Sequence, residues 1–412
     1  MSHNHFILKM LNIKDENIQV LDVIDTLSTN KEKTILIKAR LSYPVERCVN
    51  CGFDTVLKNG FAKAHIRLDS LNGQRYEMLL HKQRFICKSC HSTFGVTTSL
   101  NKPNQTLSCK LKNQIMLLTK EGLNNELIAR ICHCSASSVR RTIIERVRSK
   151  YRVSVLPKHL CFDEFRSVKN VFSFICCDAQ SHKLVVKLPD RLSSTIINYF
   201  ENRYSKQERD QVESVVVDLN AQYQRFIRRL FPNAKVIIDR FHIVQLVGRA
   251  LDNYRVSLAR SLDKKSREYK ILKSQWRLFH KKMDELEDKK PTYLKGINEY
   301  MTQQNVIDLV TNKFPKFKTI YQMYQGITLA LRDKDVTRLN DLLDNYTKTH
   351  TELDTTITTF RKNRSYLKNS VISQYSNGAL EGINRKIKLL KRNCYGFRNQ
   401  QFFFLRIDCI FA

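Results

Sequence analysis

Two sets of residues in this sequence have the types and spacing that chemistry needs. Cys48-Val-Asn-Cys51 and Cys87-Lys-Ser-Cys90 are C-x-x-C pairs separated by 35 residues. Two such knuckles can set four thiolates at the corners of a tetrahedron, the donor set of structural zinc. Unrelated core cysteines, or one redox pair, would not explain the repeated spacing. His65, His81 and His91 could substitute as ligands, and Lys82, Arg84 and Lys88 flank the second knuckle where they could meet phosphate. The second set is acidic. Asp163 in LCFDEF and Asp218 at the end of SVVVDL each follow an apolar run, which brings each carboxylate to the edge of a buried sheet. Glu381 opens a helical segment, YSNGALEGINRKIKLLKR, whose first turn Ser376 or Asn377 can cap. Glu381, Arg385, Lys388 and Arg392 then fall at i, i+4, i+7 and i+11 on one helix face. Three such carboxylates suit Mg2+ or Mn2+. Two ions held by them could activate water or a 3′-hydroxyl and stabilise the leaving 3′-oxygen of a phosphodiester. A plainer reading fits the spacing too: aspartates commonly end strands, and Glu381 to Arg385 is an ordinary i,i+4 pair.

The elements that must position these residues follow from periodicity. Between Leu160 and Asp239 five strand-like runs occur: LCFDEF, VFSFICCD, KLVVKL, SVVVDL and KVIID. Helical stretches, STIINYFENRY and AQYQRFIRRLF, sit between the later ones. Three consecutive strands followed by alternating helix and strand predict a mixed five-stranded sheet with helices packed on it. Asp178, in CCDAQ, reads as structural. The pattern after residue 240 is helical and heavily charged; Val244 to Lys290 has no Pro and a single Gly before residue 290, which predicts long helices or a hairpin. Upstream, AHIRLDSL and YEMLLHKQRFI between the cysteine pairs alternate as hairpin strands do, consistent with a zinc ribbon over 46–100. Residues 1–45 read as short strands, such as Thr34 to Ala39, with no sharp motif.

Residues 101–150 carry a helix-turn-helix pattern. Asn124 can cap a helix through Ile131, with the small Ala129 where helices pack closely and His133-Cys134 in the turn. Ser135 caps a second helix whose apolar positions are Val139, Ile143 and Val147. Its other face carries Ser137, Ser138, Arg140, Arg141 and Arg148, the layout of a helix that reads the major groove. The alternative is an ordinary helical hairpin with a solvated basic face. Cys132 and Cys134 read as packing residues.

Charge favours the nucleic-acid reading. Against 39 Asp+Glu stand 71 Lys+Arg, a formal +32 spread along 412 residues. Such a surplus repels itself unless a polyanion is near. A basic ribosome-associated protein is the competing class. An apolar content of 42% supports folded domains. No run of 18 apolar residues and no signal-peptide pattern is visible, so no membrane partner is expected and the 12 cysteines are expected in a reducing compartment.

The block Ser376 to Lys388 (SNGALEGINRKIK), continuing to LLKRNCYGFRN, resembles the C-terminal signature of the ISL-three family of insertion-sequence transposases. VVVDLNAQYQRFIRRLFPNAKVIIDRFHIVQ resembles that family's second-Asp region and CFDEF its first; the paired cysteines and helix-turn-helix match its N-terminal half. CVNC departs from the family's more usual C-Pro-x-C, which leaves the knuckle intact. The resemblance, covering roughly residues 45 to 410, implies an RNase H-like core with Asp163, Asp218 and Glu381 as ligands of two Mg2+ or Mn2+ ions, and one structural Zn2+ on Cys48, Cys51, Cys87 and Cys90. It implies the following organisation: a zinc ribbon (46–100), a helix-turn-helix (101–150), a first core part (151–240), a helical insertion (241–370) and a last core part with the Glu helix (371–412). It further implies binding of terminal inverted repeats and target DNA, cleavage and strand transfer by a dimer or larger assembly, with Arg385, Lys388 and Arg392 holding DNA backbone. Glu164 and Asp239, the latter just before His242, could be ligands or groups that orient them. The rival functions are a DNA-binding regulator with a degenerate core and an RNase H-like nuclease or resolvase.

Overall fold

The computed structural model describes residues 3–27, 33–147, 153–219 and 221–411, which fall into two compact units: residues 1–150 with 386–412, and residues 151–385.

The first unit opens with α1 (His3–Met10), followed by β1 (Ile18–Leu27), β2 (Lys33–Leu41), β3 (Val56–Arg67), β4 (Arg75–Cys87) and β5 (Thr93–Gly95). All five strands form one sheet, ordered β1-β2-β4-β3, with β5 on β4. The division expected at residue 45 is not seen. Parallel pairing of β2 with β4 runs from Thr34↔Arg75 to Leu41↔Lys82. The alternating run that predicted a strand at Thr34–Ala39 leaves one apolar face to cover, and Ile37, Ala39 and Leu41 share a core with Ile66, Met78 and Leu80. Behind the sheet come α2 (Cys109–Lys120), α3 (Asn125–Ile131) and α4 (Ala136–Arg146). Asn124 caps α3 by accepting from the Leu127 N–H, and Ser135 caps α4 by accepting from the Ser138 N–H. His133 in the intervening turn is left-handed, φ 46°.

The second unit is built on β6 (His159–Arg166), β7 (Phe172–Asp178), β8 (Leu184–Leu188), α5 (Ser193–Arg203), α6 (Lys206–Asp210), β9 (Ser214–Val217), α7 (Ala221–Leu230) and β10 (Lys235–Ile238). The sheet order is β10-β9-β6-β7-β8. β6, β7 and β8 are an antiparallel meander, and β9 and β10 run parallel to β6. Phe162, Phe174, Phe200 and Phe231 are wholly buried against the sheet, with Phe162 and Phe174 edge-to-face at 5.0 Å.

A helical region follows: α8 (Arg240–Arg260), α9 (Arg267–Ser274), the small hairpin β11 (Thr292–Leu294) and β12 (Glu299–Met301), then α10 (Gln303–Lys313), α11 (Pro315–Arg332), α12 (Val336–Asp344), α13 (Glu352–Lys362) and α14 (Arg364–Ile372). The long helix expected beyond Val244 ends at Arg260, because Ser266 starts a new one by capping the Tyr269 N–H. α14 returns to the sheet edge. Ser370 Oγ accepts from the Ile238 N–H at 2.8 Å, and Asn369 Nδ2 donates to the Val236 carbonyl at 2.9 Å. These bonds use backbone groups of β10 that would otherwise be unpaired.

The chain ends in α15 (Gly378–Asn393) and α16 (Gln400–Ile410). The sequence suggests that 371–412 completes the catalytic core, but residues 386–412 belong to the first unit. Phe402 and Cys409 of α16 join Leu111, Ile115, Val139 and Ile143 in one core, because the three short helices leave an apolar side open that QQFFFLRI can close. Arg406 is 1% exposed and donates to Asn125 Oδ1 at 2.8 Å and to the Leu123 carbonyl at 2.5 Å. Arg406→Ala removes this packing and leaves both acceptors without their donor, so chemical denaturation of the variant should show a loss of about 2–4 kcal/mol.

Candidate active site and metal centre

The parallel register places three aspartates in one row. β6 and β9 pair through Leu160↔Val215 and Cys161↔Val216, and β9 and β10 through Val217↔Ile238. Continued past these pairs, the register sets Asp163 beside Asp218 and Asp218 beside Asp239, whose N–H still donates to the Val217 carbonyl at 2.9 Å. Carboxyl ends of parallel strands are where open α/β sheets present reactive groups. Asp163 and Asp218 line one cleft of about 520 Å³ with Glu164, Phe172, Tyr223, His242 and Arg249.

Each aspartate is held by named neighbours. Asp163 Oδ1 accepts from the Glu164 N–H and its Oδ2 from Asn384 Nδ2, both at 2.7 Å. Burial pushes the Asp163 carboxyl up to about 7, and the charge of Asp218 adds to this. Asp218 Oδ1 lies 2.8 Å from His242 Nε2, on the first turn of α8. That hydrogen bond raises the His242 pKa and favours the imidazolium, a local counter-charge for the row. Asp239 is buried, which raises its carboxyl, and it accepts from the Asn377 N–H at 3.2 Å. Glu164 accepts from the Tyr223 hydroxyl at 2.8 Å and pairs with Arg191 at 2.5 Å.

Glu381 stands apart. Its carboxylate is 62% exposed and pairs with Arg385 at 2.5 Å. Among the described residues, no three acidic side chains bring ligand atoms within 4.8 Å of one another. The structure thus gathers Asp163 and Asp218 and leaves the Glu381 carboxylate outside their cleft. The same helix is nonetheless tied to the row by Asn384, one turn after Glu381. Asn377, one of the two expected caps of α15 beside Ser376, sends Nδ2 to the Phe162 carbonyl at 3.2 Å and toward Asp218 Oδ1 at 3.5 Å. Sequence reading passed over Asn384, Tyr223 and Arg191. Only Asn384 carried a signal, since it lies seven residues after Asn377 and so shares its helix face.

The donor set suits a hard divalent cation, with Asp163 and Asp218 offering carboxylate oxygens beside each other in a partly buried cleft. Asn377 Oδ1 and Asn384 Oδ1 are buried acceptors without a partner among the described residues, an unusual pair of vacancies for donors such as metal-bound or substrate-bound water.

The four cysteines form a second centre. Their sulfurs lie within 4.8 Å of one another, with Cys48–Cys90 at 3.7 Å and Cys51–Cys87 at 3.6 Å. Thiolates at the Zn–S distance of about 2.3 Å in a tetrahedron are ~3.8 Å apart, so the set fits zinc. Both knuckles turn alike: the residue after each second cysteine is left-handed, Gly52 at φ 79° and His91 at φ 55°. The Cys51 N–H, above all, draws the Cys48 thiol down to about 6, and the Cys90 N–H lowers Cys87. The Phe53 N–H favours the Cys51 thiolate too, but burial and the thiols of Cys90, Cys87 and Cys48 push it up to about 12, as four sulfurs without a cation require.

On α4, Ser137, Arg140 and Arg141 are exposed, and the Arg140 guanidinium lies 4.9 Å from the Phe402 ring centre. Ser138, expected on that face, is buried; it sits 2.9 Å from Ser135 Oγ because it is the position the cap folds over. Arg148 lies outside the described residues. Glu381, Arg385, Lys388 and Arg392 are all exposed along α15, whereas Ile383, Ile387 and Leu390 are buried.

Against known families, the model described as Transposase, covering DDE transposases of the ISL3 (ISL-three) type, matches residues 160–407. The chain belongs to the ISL3-type DDE transposase family. It is 22% identical over 346 residues to the transposase for insertion sequence element IS1001 of Bordetella parapertussis, covering 82% of each chain. It is also 35% identical over 119 residues to a Lactococcus lactis subsp. lactis protein named ATP-dependent protease. That match covers 29% of this chain and spans 38% of the Lactococcus protein. No two of the 11 glycines here stand five residues apart, so this sequence has no G-x-x-x-x-G-K-[ST] phosphate loop to go with that name. The transposase match spans every residue of the aspartate row together with Asn377, Glu381 and Asn384.

Two outcomes follow. Cys87→Ser, or chelation, should remove one zinc per chain by atomic absorption and lower the melting temperature by ~5 °C or more. Asn384→Ala should weaken Mn2+ binding in calorimetry by about tenfold; unchanged affinity would reduce Asn384 to a packing residue.

Proposed function

We propose that this protein is an insertion-sequence transposase that binds the terminal inverted repeats of its element and catalyses DNA cleavage and strand transfer. The observation that carries the reading is the row of Asp163, Asp218 and Asp239 across three adjacent parallel strands, inside the segment that matches the family. The sheet order, an antiparallel meander extended by two parallel strands, supports an RNase H-like core. Asp163 and Asp218 would hold the divalent cations, and Glu381 is the third carboxylate of the family pattern. Bound cations supply Lewis acidity, activating water or a 3′-hydroxyl and stabilising the leaving oxygen.

The rest is the work of this chain's own groups. Asn384 and His242 fix the orientation of Asp163 and Asp218. Asp239 and Asn377 anchor the start of α15 to the sheet, which keeps Glu381 on an element already tied to the cleft. Arg385, now paired with Glu381, becomes available to phosphate whenever Glu381 turns to a cation. Arg385, Lys388 and Arg392 present a basic stripe for DNA backbone. The zinc centre would hold the cysteine knuckles in register, and α4 would read the element ends through Ser137, Arg140 and Arg141. Two ends must be joined, so a dimer or larger assembly is part of the reading.

The test is strand transfer with DNA from the flanks of this reading frame and Mg2+ or Mn2+. Asp163→Asn, Asp218→Asn and Glu381→Gln should each lower it by more than about 100-fold, beyond the loss typical of a residue that only supports a ligand, with end binding retained. Cleavage without joining would favour a nuclease; end binding with neither step would favour a regulator. Strand transfer surviving any of the three substitutions would overturn the site.

A further inference from the structure

A second concavity, about 610 Å³, opens between α5 and α7. Its lining includes Arg191, Leu192, Ser193, Arg225, Phe226 and Arg229, and no carboxylate. The acids around it are already engaged: Glu164 with Arg191, Glu201 with Arg229, and Asp190 with the Leu192 N–H. Arg225 is exposed and has no partner among the described residues. α5 starts here, and its N-cap Leu192 gives no side-chain hydrogen bond to the first turn, so the positive end of an 11-residue helix faces the same space as the guanidiniums.

Two contacts link the lining of this groove to that of the proposed catalytic cleft. Arg191 lines the groove while pairing with Glu164, which lines the cleft beside Asp163. Phe172, also in the cleft, meets two guanidiniums, with its ring centre 4.6 Å from Arg191 and 5.1 Å from Arg166. A ligand for this surface must be an extended anion that passes from a carboxylate-lined cleft into an arginine-lined groove. A phosphodiester strand meets that description, with forked guanidiniums matching phosphate oxygens.

Building on the proposed active site, we propose that the α5–α7 groove carries the backbone of the DNA strand on one side of the scissile phosphate. Arg225 is the primary phosphate contact, Arg229 and Arg191 flank it, and Leu192 packs beside the sugars.

The experiment uses the full chain and a 40-base-pair duplex from the flank of the reading frame. Arg225→Gln should weaken binding about fivefold at 0.15 M salt and lower the slope of log K against log salt by about 1, with the double variant Arg225→Gln/Arg229→Gln lowering it by about 2. Both should melt like the parent chain. p-Benzoylphenylalanine placed at Leu192 should crosslink to the duplex within a few nucleotides of the cleavage position, and Asp163→Asn should leave that crosslink in place. An unchanged salt slope in both variants, or a crosslink to a second copy of this chain instead of DNA, overturns the groove assignment. Strand transfer retained in Asp163→Asn would instead overturn the active site, whatever the crosslink shows.

Discussion

Adjacent carboxylates at the end of an apolar sheet repel each other, and the second unit is arranged around that repulsion. Parallel pairing of β6, β9 and β10 forces Asp163, Asp218 and Asp239 into one row. Burial pushes Asp163 and Asp239 toward the neutral form. The surroundings resist this with directed donors: the Glu164 N–H and Asn384 on Asp163, His242 on Asp218, the Asn377 N–H on Asp239. These donors come from three different parts of the chain, so the row has all its partners only when sheet, α8 and α15 are in place. A site that needs so many partners to tolerate its own charge is suited to holding a cation, which would relieve the same repulsion more completely.

Much of this was legible in the sequence because the relevant signals are local. The five apolar runs between Leu160 and Asp239 are short and separated by turns or helical stretches, and each becomes a strand of the sheet. Asn124 and Ser135 were readable as caps because capping uses one side chain and a backbone group three residues on. The cysteine knuckles were readable because their spacing is itself the geometry. Asp218 could be named from its strand end, Asp163 from the apolar run before it, and both from the family resemblance, with their common cleft a consequence of register.

What local signals could not carry was pairing between distant segments. Nothing in TILIKA says that it lies beside YEMLLHK, since both runs merely alternate. The buried amides Asn377 and Asn384 look in sequence like a cap and a solvated helix position, and become partners of the aspartates only through the packing of α15 on the sheet. Glu381 illustrates the converse. Its place on α15 was predictable, but the direction of its carboxylate, toward Arg385, is not.

The closure of α2, α3 and α4 by α16 has a temporal consequence. Arg406 meets Asn125 across 281 positions of chain. Contacts so distant in sequence come late in folding, because the intervening loop must be closed first. The helices made early by the ribosome therefore wait for α16 before their apolar side is sealed. A chain cut ahead of α16 would leave that side bare, a target for proteolysis.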